Sequence, residues 1–362
     1  MPPAFEKGAE TIDPAALRAW LLSRMPASDE LEVGDLLRPG AGESSDTQLF
    51  EARWREAGQE RALSGVLRCA PRRPGPFPSY DLAMQFEIMR TLGERTAVPV
   101  PEVIWLEEDP AVLGAPFLIM RQVEGDAPID FPSYQGQGMY RDASPELRAH
   151  MWRGTVEAVA ELHAQDWRGL GVNRVPGARA GDDPARQQLD TWRGYLAWVS
   201  EEPGEHLAVF HEALAWLEAR HVPSVRLSLC WGDAKLGNVL YRPGSRDVGA
   251  ILDWEMATIG DPEMDIASLH LSDLRAQDGA ESVALEGTPS ADELVRMYEK
   301  TSGHSFRDFH YALVFATFWR GAVQVKVMSQ LRARGADIPD ALFVDNFPVR
   351  TLCRLLRLPQ PG

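Results

Sequence analysis

Cysteine is scarce in this chain of 362 residues: only Cys69, Cys230 and Cys353 occur. Their odd number and wide spacing exclude a disulfide framework and a clustered thiolate metal site. Long apolar runs are missing as well. The N-terminal MPPAFEKGAE has no continuous apolar targeting core, and YALVFATFW, the most apolar helix candidate, is interrupted by Arg320 well short of a membrane span. Positive charge is also in deficit, with 37 Lys and Arg against 53 Asp and Glu and a formal net charge of −16. A surface of that sign repels a phosphate backbone, which argues against a nucleic-acid partner. The histidines show no metal-ligand spacing. Together these absences predict a cytoplasmic protein with neither nucleic acid nor membrane as partner, and they leave the oligomeric state open.

What is present is globular. Apolar residues make up 44% of the chain, and 11 Trp and 13 Phe can fill interiors. The length exceeds what one core usually organises, so about two domains are expected. Asp13 and Pro14 open a helical pattern that runs to Met25. Phe50, Ala52 and Trp54 alternate with charged residues as a half-buried strand, and ALSGVLRCAP can return as its partner. A second helix is predicted from near Tyr80, followed by a strand pair in VPEVIWLEED and LGAPFLIMRQV. From Ser144 the pattern is mainly helical, interrupted by the short strand candidates SVRLSLCWGD, NVLY and VGAILDW. This order predicts an N-terminal helical extension (1–29), a small sheet-containing lobe (30–123) and a larger helical lobe (124–362).

The chemistry gathers in WGDAKLGNVLY and ILDWE. Four residues separate Asp233 from Asn238, and NVLY can pair with GAILDW as a hairpin that returns Asp253 beside Asn238. An amide oxygen and a carboxylate placed together suit a hard divalent cation. Asp233 would then orient or deprotonate an attacking hydroxyl, while Lys235 reaches charge developing on a transferred phosphoryl group. Phosphoryl transfer needs such parts, because the protein must neutralise phosphate oxygens and align the nucleophile. An Asp, four residues, Asn and a later Asp is the order found in protein kinases.

WGDAKLGNVLY followed by ILDWEMATIGDPEMDIA resembles the catalytic region of the aminoglycoside phosphotransferase-like family. It is closest to the bacterial branch related to kinase-like domains joined to some acyl-CoA dehydrogenases. The resemblance spans roughly residues 30–350. It implies an α+β, two-lobed protein-kinase-like fold, with a small antiparallel-sheet N-lobe and a mainly helical C-lobe, and transfer of a phosphoryl group from ATP or GTP with Mg2+ to a hydroxyl-bearing small molecule. By that resemblance Asp233 is the catalytic acid–base or orienting residue, and Asn238 and Asp253 are the metal ligands. Asp265, in DPEMDIA, would brace the catalytic loop from a helix start, where a carboxylate can accept backbone N–H bonds. Glu255 is a surface or supporting acid, or approaches the metal.

The resemblance is less sharp in the first lobe. PGAGESSDT matches neither phosphate-loop spacing, yet its place before VLRCAP makes Gly40, Gly42, Ser44 and Ser45 the expected cover over the nucleotide. Arg68 falls where relatives carry a phosphate-contacting base, and Gln85 where many carry its acidic anchor. Gln85 cannot supply that charge, and nearby Glu87 is a candidate substitute. Met120, Gln122 and Val123 occupy the expected link, where backbone groups bind a purine edge. His163 reads as a packed or capping residue, Trp192, Tyr195 and Trp198 as core first and acceptor wall second, and Arg320 as an acceptor contact. Trp231 stands where distant relatives have His, so loop support is altered there. Two other readings follow: a nucleotide-binding regulator without transfer, suggested by Gln85 and Trp231, and an aminoglycoside or hydroxyacyl-CoA as the acceptor.

Overall fold

The computed structural model describes residues 12–26, 28–38, 46–72, 75–178, 183–200, 207–221, 223–224, 226–280 and 284–361. The chain divides into two compact units, Met1–Arg90 with Pro101–Val123, and Thr91–Val100 with Glu124–Gly362. The fold is α+β and two-lobed, with a small antiparallel sheet in the first unit and a largely helical second unit.

The first unit opens with α1 (Pro14–Arg24), β1 (Ser28–Val33), β2 (Asp46–Glu56) and β3 (Gln59–Cys69). It continues with α2 (Leu82–Arg95), whose last turn belongs to the second unit, then β4 (Val103–Glu107) and β5 (Phe117–Arg121). The five strands are ordered β1-β2-β3-β5-β4, and every pairing is antiparallel. Period-2 alternation turns Phe50 and Ala52 of β2 inward, where they meet Leu63 and Leu67 of β3 and Phe117 and Ile119 of β5.

Leu17, Trp20 and Leu21 of α1 complete that core. Asp13 caps the helix by accepting from Ala15 N–H, and Trp20 Nε1–H donates to Glu107 Oε2 at 2.9 Å. The helix Pro14–Arg24 therefore packs as a constituent of the first unit's core. β1 lies outside the strands that the sequence suggests. Its register slips between Asp29 and Glu32, Glu30 takes a positive φ, and only Leu31 is buried, so no clean alternation advertises it.

The second unit is a frame of helices around two small hairpin-like sheets. α3 (Pro145–Ala164), α4 (Trp167–Leu170), α5 (Pro184–Val199) and α6 (Ala208–Ala219) precede β6 (Ser228–Cys230). β7 (Val239–Tyr241), β8 (Val248–Ile251) and β9 (Thr258–Gly260) follow, with β6 pairing β9 and β7 pairing β8. α7 (Glu263–Ala280), α8 (Ala291–Ser302), α9 (Phe309–Ala333), α10 (Ala341–Val344) and α11 (Phe347–Leu356) close the chain. Small residues let α7 and α9 approach, as Ala267 meets Ala312 and Ala316 in one cluster. Arg320 interrupts the apolar run of α9 but leaves the helix continuous. Among the described residues no helix is long and apolar enough to cross a membrane.

Candidate active site

Two loops, both in the second unit, carry the candidate chemistry. The first leaves β6 at Trp231 and reaches Asn238 through a 3-10 turn, Leu236–Asn238. The second leaves β8 and turns at Asp253 into another, Trp254–Met256. Val239 lies opposite Ile251 in the β7–β8 pair, and Leu252 N–H donates to Asn238 O at 2.8 Å. The hairpin thus returns Asp253 to the neighbourhood of Asn238. Asp253 adopts φ 62°, a left-handed conformation that a non-glycine residue enters at a cost and that often marks functional turns.

Asp233 is gripped on both oxygens. Arg320 Nη2 lies 2.7 Å from Oδ1, and Asn238 Nδ2 donates to Oδ2 at 2.9 Å. Lys235 Nζ is 3.7 Å from the same Oδ2 but lies closer, 2.9 Å, to Oδ2 of Asp130. Burial alone would raise the Asp233 pKa; Arg320, Lys235 and Asn238 outweigh it and hold the carboxyl below its ordinary value. Burial likewise pulls Lys235 down, but Asp233 and Asp130 overcome it and keep the ammonium charged. The site at neutral pH is therefore a carboxylate between two cations. The Asn238 amide, with its nitrogen committed to Asp233, presents Oδ1 as the atom a cation would take.

Asp130 is not among the candidates that the sequence suggests. Backbone bonds exchanged by Asp126 and Tyr241 fix its segment against β7. A Cβ on Gly237 would stand 2.9 Å from Asp130 Oδ1, so the missing side chain there leaves the carboxylate its place. Arg320, named by the sequence as a candidate acceptor contact, turns its guanidinium onto Asp233, Ala234 O and Ser268 Oγ.

Asp265 braces the first loop from the start of α7. Its Oδ2 accepts from Trp231 N–H at 2.6 Å, and its Oδ1 from Gly232 N–H at 2.8 Å. His163 joins through Nε2, 3.0 Å from Asp265 Oδ2, while its Nδ1 meets Tyr298 O–H at 2.9 Å. The ring thus bridges Asp265 and Tyr298 through its two nitrogens. Cys230 brings its sulfur near these groups, so His163, Cys230 and Asp265 could hold a metal by distance alone. Their chemistry speaks against it: both Asp265 oxygens are already engaged by loop N–H groups, and burial together with Asp265 pushes the Cys230 thiol well above its ordinary range. The trio supports the loop.

Trp231 is fully buried, and its Nε1–H donates to Leu252 O at 2.7 Å. The indole therefore ties the first loop to the residue preceding Asp253. Trp231→Phe removes that donor from a partly buried carbonyl and leaves a void; we expect about 2–3 kcal/mol of lost stability in chemical denaturation.

Arg68 sits in β3 opposite Thr47 and Leu118, and both it and Gln85 of α2 are buried. Met120 pairs with Val66 and Val103 inside the sheet. Gln122 N–H donates to Ser64 O at 2.8 Å and is therefore not open to a purine edge. Val123 ends the first unit. Gly40, Gly42, Ser44 and Ser45 lie outside the described residues. Trp192 of α5 stacks on Trp319 of α9 with centroids 5.3 Å apart, and Tyr195 is buried, so these aromatics join the two helices.

The model of the phosphotransferase enzyme family matches residues 45–302. The chain belongs to that family. Among solved structures, this phosphotransferase is similar in fold to a candidate aminoglycoside phosphotransferase from Ralstonia eutropha, with a TM-score of 0.69, 22% identity, and 96% of this chain and 100% of that one covered. It is similar also to a choline/ethanolamine kinase family protein from Mesorhizobium loti, with a TM-score of 0.52, 20% identity and 95% of each chain covered. Among curated proteins it is 30% identical over 311 residues to the Arabidopsis thaliana protein named "Probable acyl-CoA dehydrogenase IBR3", covering 80% of this chain and 36% of that one. The chain thus spans about a third of that relative's length. The phosphotransferase family and the two-lobed kinase-like fold are the ones the WGDAKLGN and DWE stretches implied.

Proposed function

We propose that this phosphotransferase moves the terminal phosphoryl group of ATP or GTP to a hydroxyl of a small molecule that is neutral or anionic around that hydroxyl. The observation that carries the reading is the carboxylate of Asp233, ionised and held on both oxygens, with Asn238 as the shared neighbour of the Asp253 loop. Asn238 Oδ1 and the Asp253 carboxylate fit a hard divalent cation, for which Mg2+ is the proposed occupant. Such an ion supplies charge neutralisation for phosphate oxygens. Asp233 accepts the hydrogen bond of the acceptor hydroxyl, aligns its oxygen, and takes its proton as the new O–P bond forms and the bond from the terminal phosphorus to the bridging oxygen breaks, releasing ADP or GDP. Lys235, released from Asp130, meets the negative charge of the phosphoryl group.

The acceptor preference follows from charge. Arg320 and Lys235 flank Asp233, and Lys235 frees one carboxylate, Asp130, on turning to phosphate, whereas a polycation such as an aminoglycoside needs several uncommitted carboxylates near its reacting hydroxyl. The name of the Arabidopsis relative adds hydroxyacyl-CoA to the acceptors worth testing. The test is transfer from terminally labelled ATP and GTP to hydroxyacyl-CoAs, sugars, amino alcohols and aminoglycosides, with Mg2+ and after chelation. Transfer that vanishes on chelation, with kcat/KM at least about tenfold higher for a hydroxyacyl-CoA than for an aminoglycoside, is the expected result. Nucleotide binding with no transfer to any member of the panel would favour the regulatory reading instead.

A further inference from the structure

Arg320 is costly where it stands. The preceding stretch of α9, Tyr311–Trp319, is buried throughout, and a guanidinium in such surroundings must be partnered on most of its edge. Its partners are specific. Nη2 is 2.7 Å from Asp233 Oδ1, 2.7 Å from Ser268 Oγ and 3.2 Å from Ala234 O, and Nε donates to Ser268 Oγ at 3.1 Å. The plane rests over the Trp319 ring at 4.7 Å, and Trp319 is itself stacked on Trp192. Ser268 is buried in α7, the helix whose first turn holds Asp265. One guanidinium therefore ties α9, α7 and the first loop together at the carboxylate.

We propose that Arg320 is a positioning residue for Asp233. It fixes the plane of the carboxylate toward the acceptor hydroxyl and remains its counter-ion when Lys235 turns to phosphate. The inference rests on the transfer reading above. Two features of the geometry carry it. Arg320 takes Oδ1 while Asn238 takes Oδ2, so the carboxylate is held from two sides and cannot rotate. Lys235 is bound more closely by Asp130 than by Asp233, and its departure removes only a contact at 3.7 Å. Arginine suits the task because a planar fork on a stacked ring defines an orientation, which the point charge of lysine does not.

The experiment uses the full chain with labelled ATP and Mg2+, reading slow hydrolysis with water in place of the acceptor and, beside it, transfer to the best acceptor of the panel. Arg320→Ala is expected to lower kcat about a hundredfold while the nucleotide KM stays nearly constant, as loss of alignment without loss of binding demands. Millimolar guanidinium should restore about tenfold of that rate, by filling the vacated slot, and should do nothing for Asp233→Asn. Arg320→Lys should retain more rate than Arg320→Ala and serves as the second variant if the alanine form does not fold. Unchanged kcat in an active background, or a loss that guanidinium cannot relieve and that raises the nucleotide KM in parallel, overturns the positioning role alone. A wild-type protein that neither hydrolyses nor transfers overturns the transfer reading, and the inference falls with it.

Discussion

Asp233→Asn is expected to cut kcat for phosphoryl transfer by about a thousandfold, which corresponds to roughly 4 kcal/mol of transition-state stabilisation. The substitution preserves size, so the loss isolates charge and proton acceptance. An amide has one acceptor oxygen, and Arg320 at 2.7 Å would claim it. The new NH2 would then face Asn238 Nδ2 and the Lys235 ammonium, donor against donor. The new NH2 finds an acceptor there only if Asn238 flips to offer Oδ1, which takes that oxygen from the proposed cation. The wild-type carboxyl is held below its ordinary pKa by Arg320, Lys235 and Asn238 against burial. It is therefore ionised across the neutral range, and the deficit should be constant there. At acid pH the two proteins should converge, because the wild type loses its carboxylate as pH falls through the lowered value. Steady-state kinetics across pH, with nucleotide binding measured in parallel, checks the claim. A variant within tenfold of wild type would remove Asp233 from the chemistry.

The parts of the site that sequence reveals are those built by near neighbours. The Asp253 loop returns beside Asn238 because a short hairpin joins them, and the two apolar stretches NVLY and GAILDW around a turn announce that hairpin. Asp265 is legible for a similar reason, since a carboxylate in the first turn of a helix has backbone N–H groups to find. The groups that complete the site come from afar. Asp130 reaches Lys235 across 105 positions, from a polar connection with no periodicity of its own. Arg320 lies 86 positions from Ala234 and looks, in a string, like an interruption in an apolar helix. A sequence shows that such an arginine is expensive and says nothing of which carboxylate compensates it.

The fold divides along the same line. α1 shows its cap and its apolar stripe, yet its membership in the first unit depends on Trp20 reaching Glu107, 87 positions away. Trp231 carries its own N–H donor in its identity, but the acceptor, Leu252 O, is set by how two loops cross. Local chemistry predicts elements and donors, and only packing selects their partners.

The crossing of those loops also sets the largest stability effect. Gly232 has φ +88°, and a Cβ placed there falls 2.0 Å from the Met256 carbonyl oxygen. The obstacle is backbone, so no side-chain rotation relieves it, and one loop must move away from the other. Gly232→Ala should therefore cost more than about 3 kcal/mol and lower the midpoint of thermal unfolding by about 6–12 °C. Gly244→Ala is the control. Gly244 shares a positive φ of +79°, but a methyl group there would meet nothing within 4 Å, so it should show only the backbone penalty, about 1–2 kcal/mol. The difference between the two variants measures the overlap itself. Since displacing Met256 drags the turn that begins at Asp253, Gly232→Ala should also raise the Mg2+ concentration that the proposed transfer needs in whatever fraction stays folded, while Gly244→Ala leaves it unchanged. Equal losses in the two variants would mean that the loops yield freely, and that the spacing between Asp233 and Asp253 is not held by this contact.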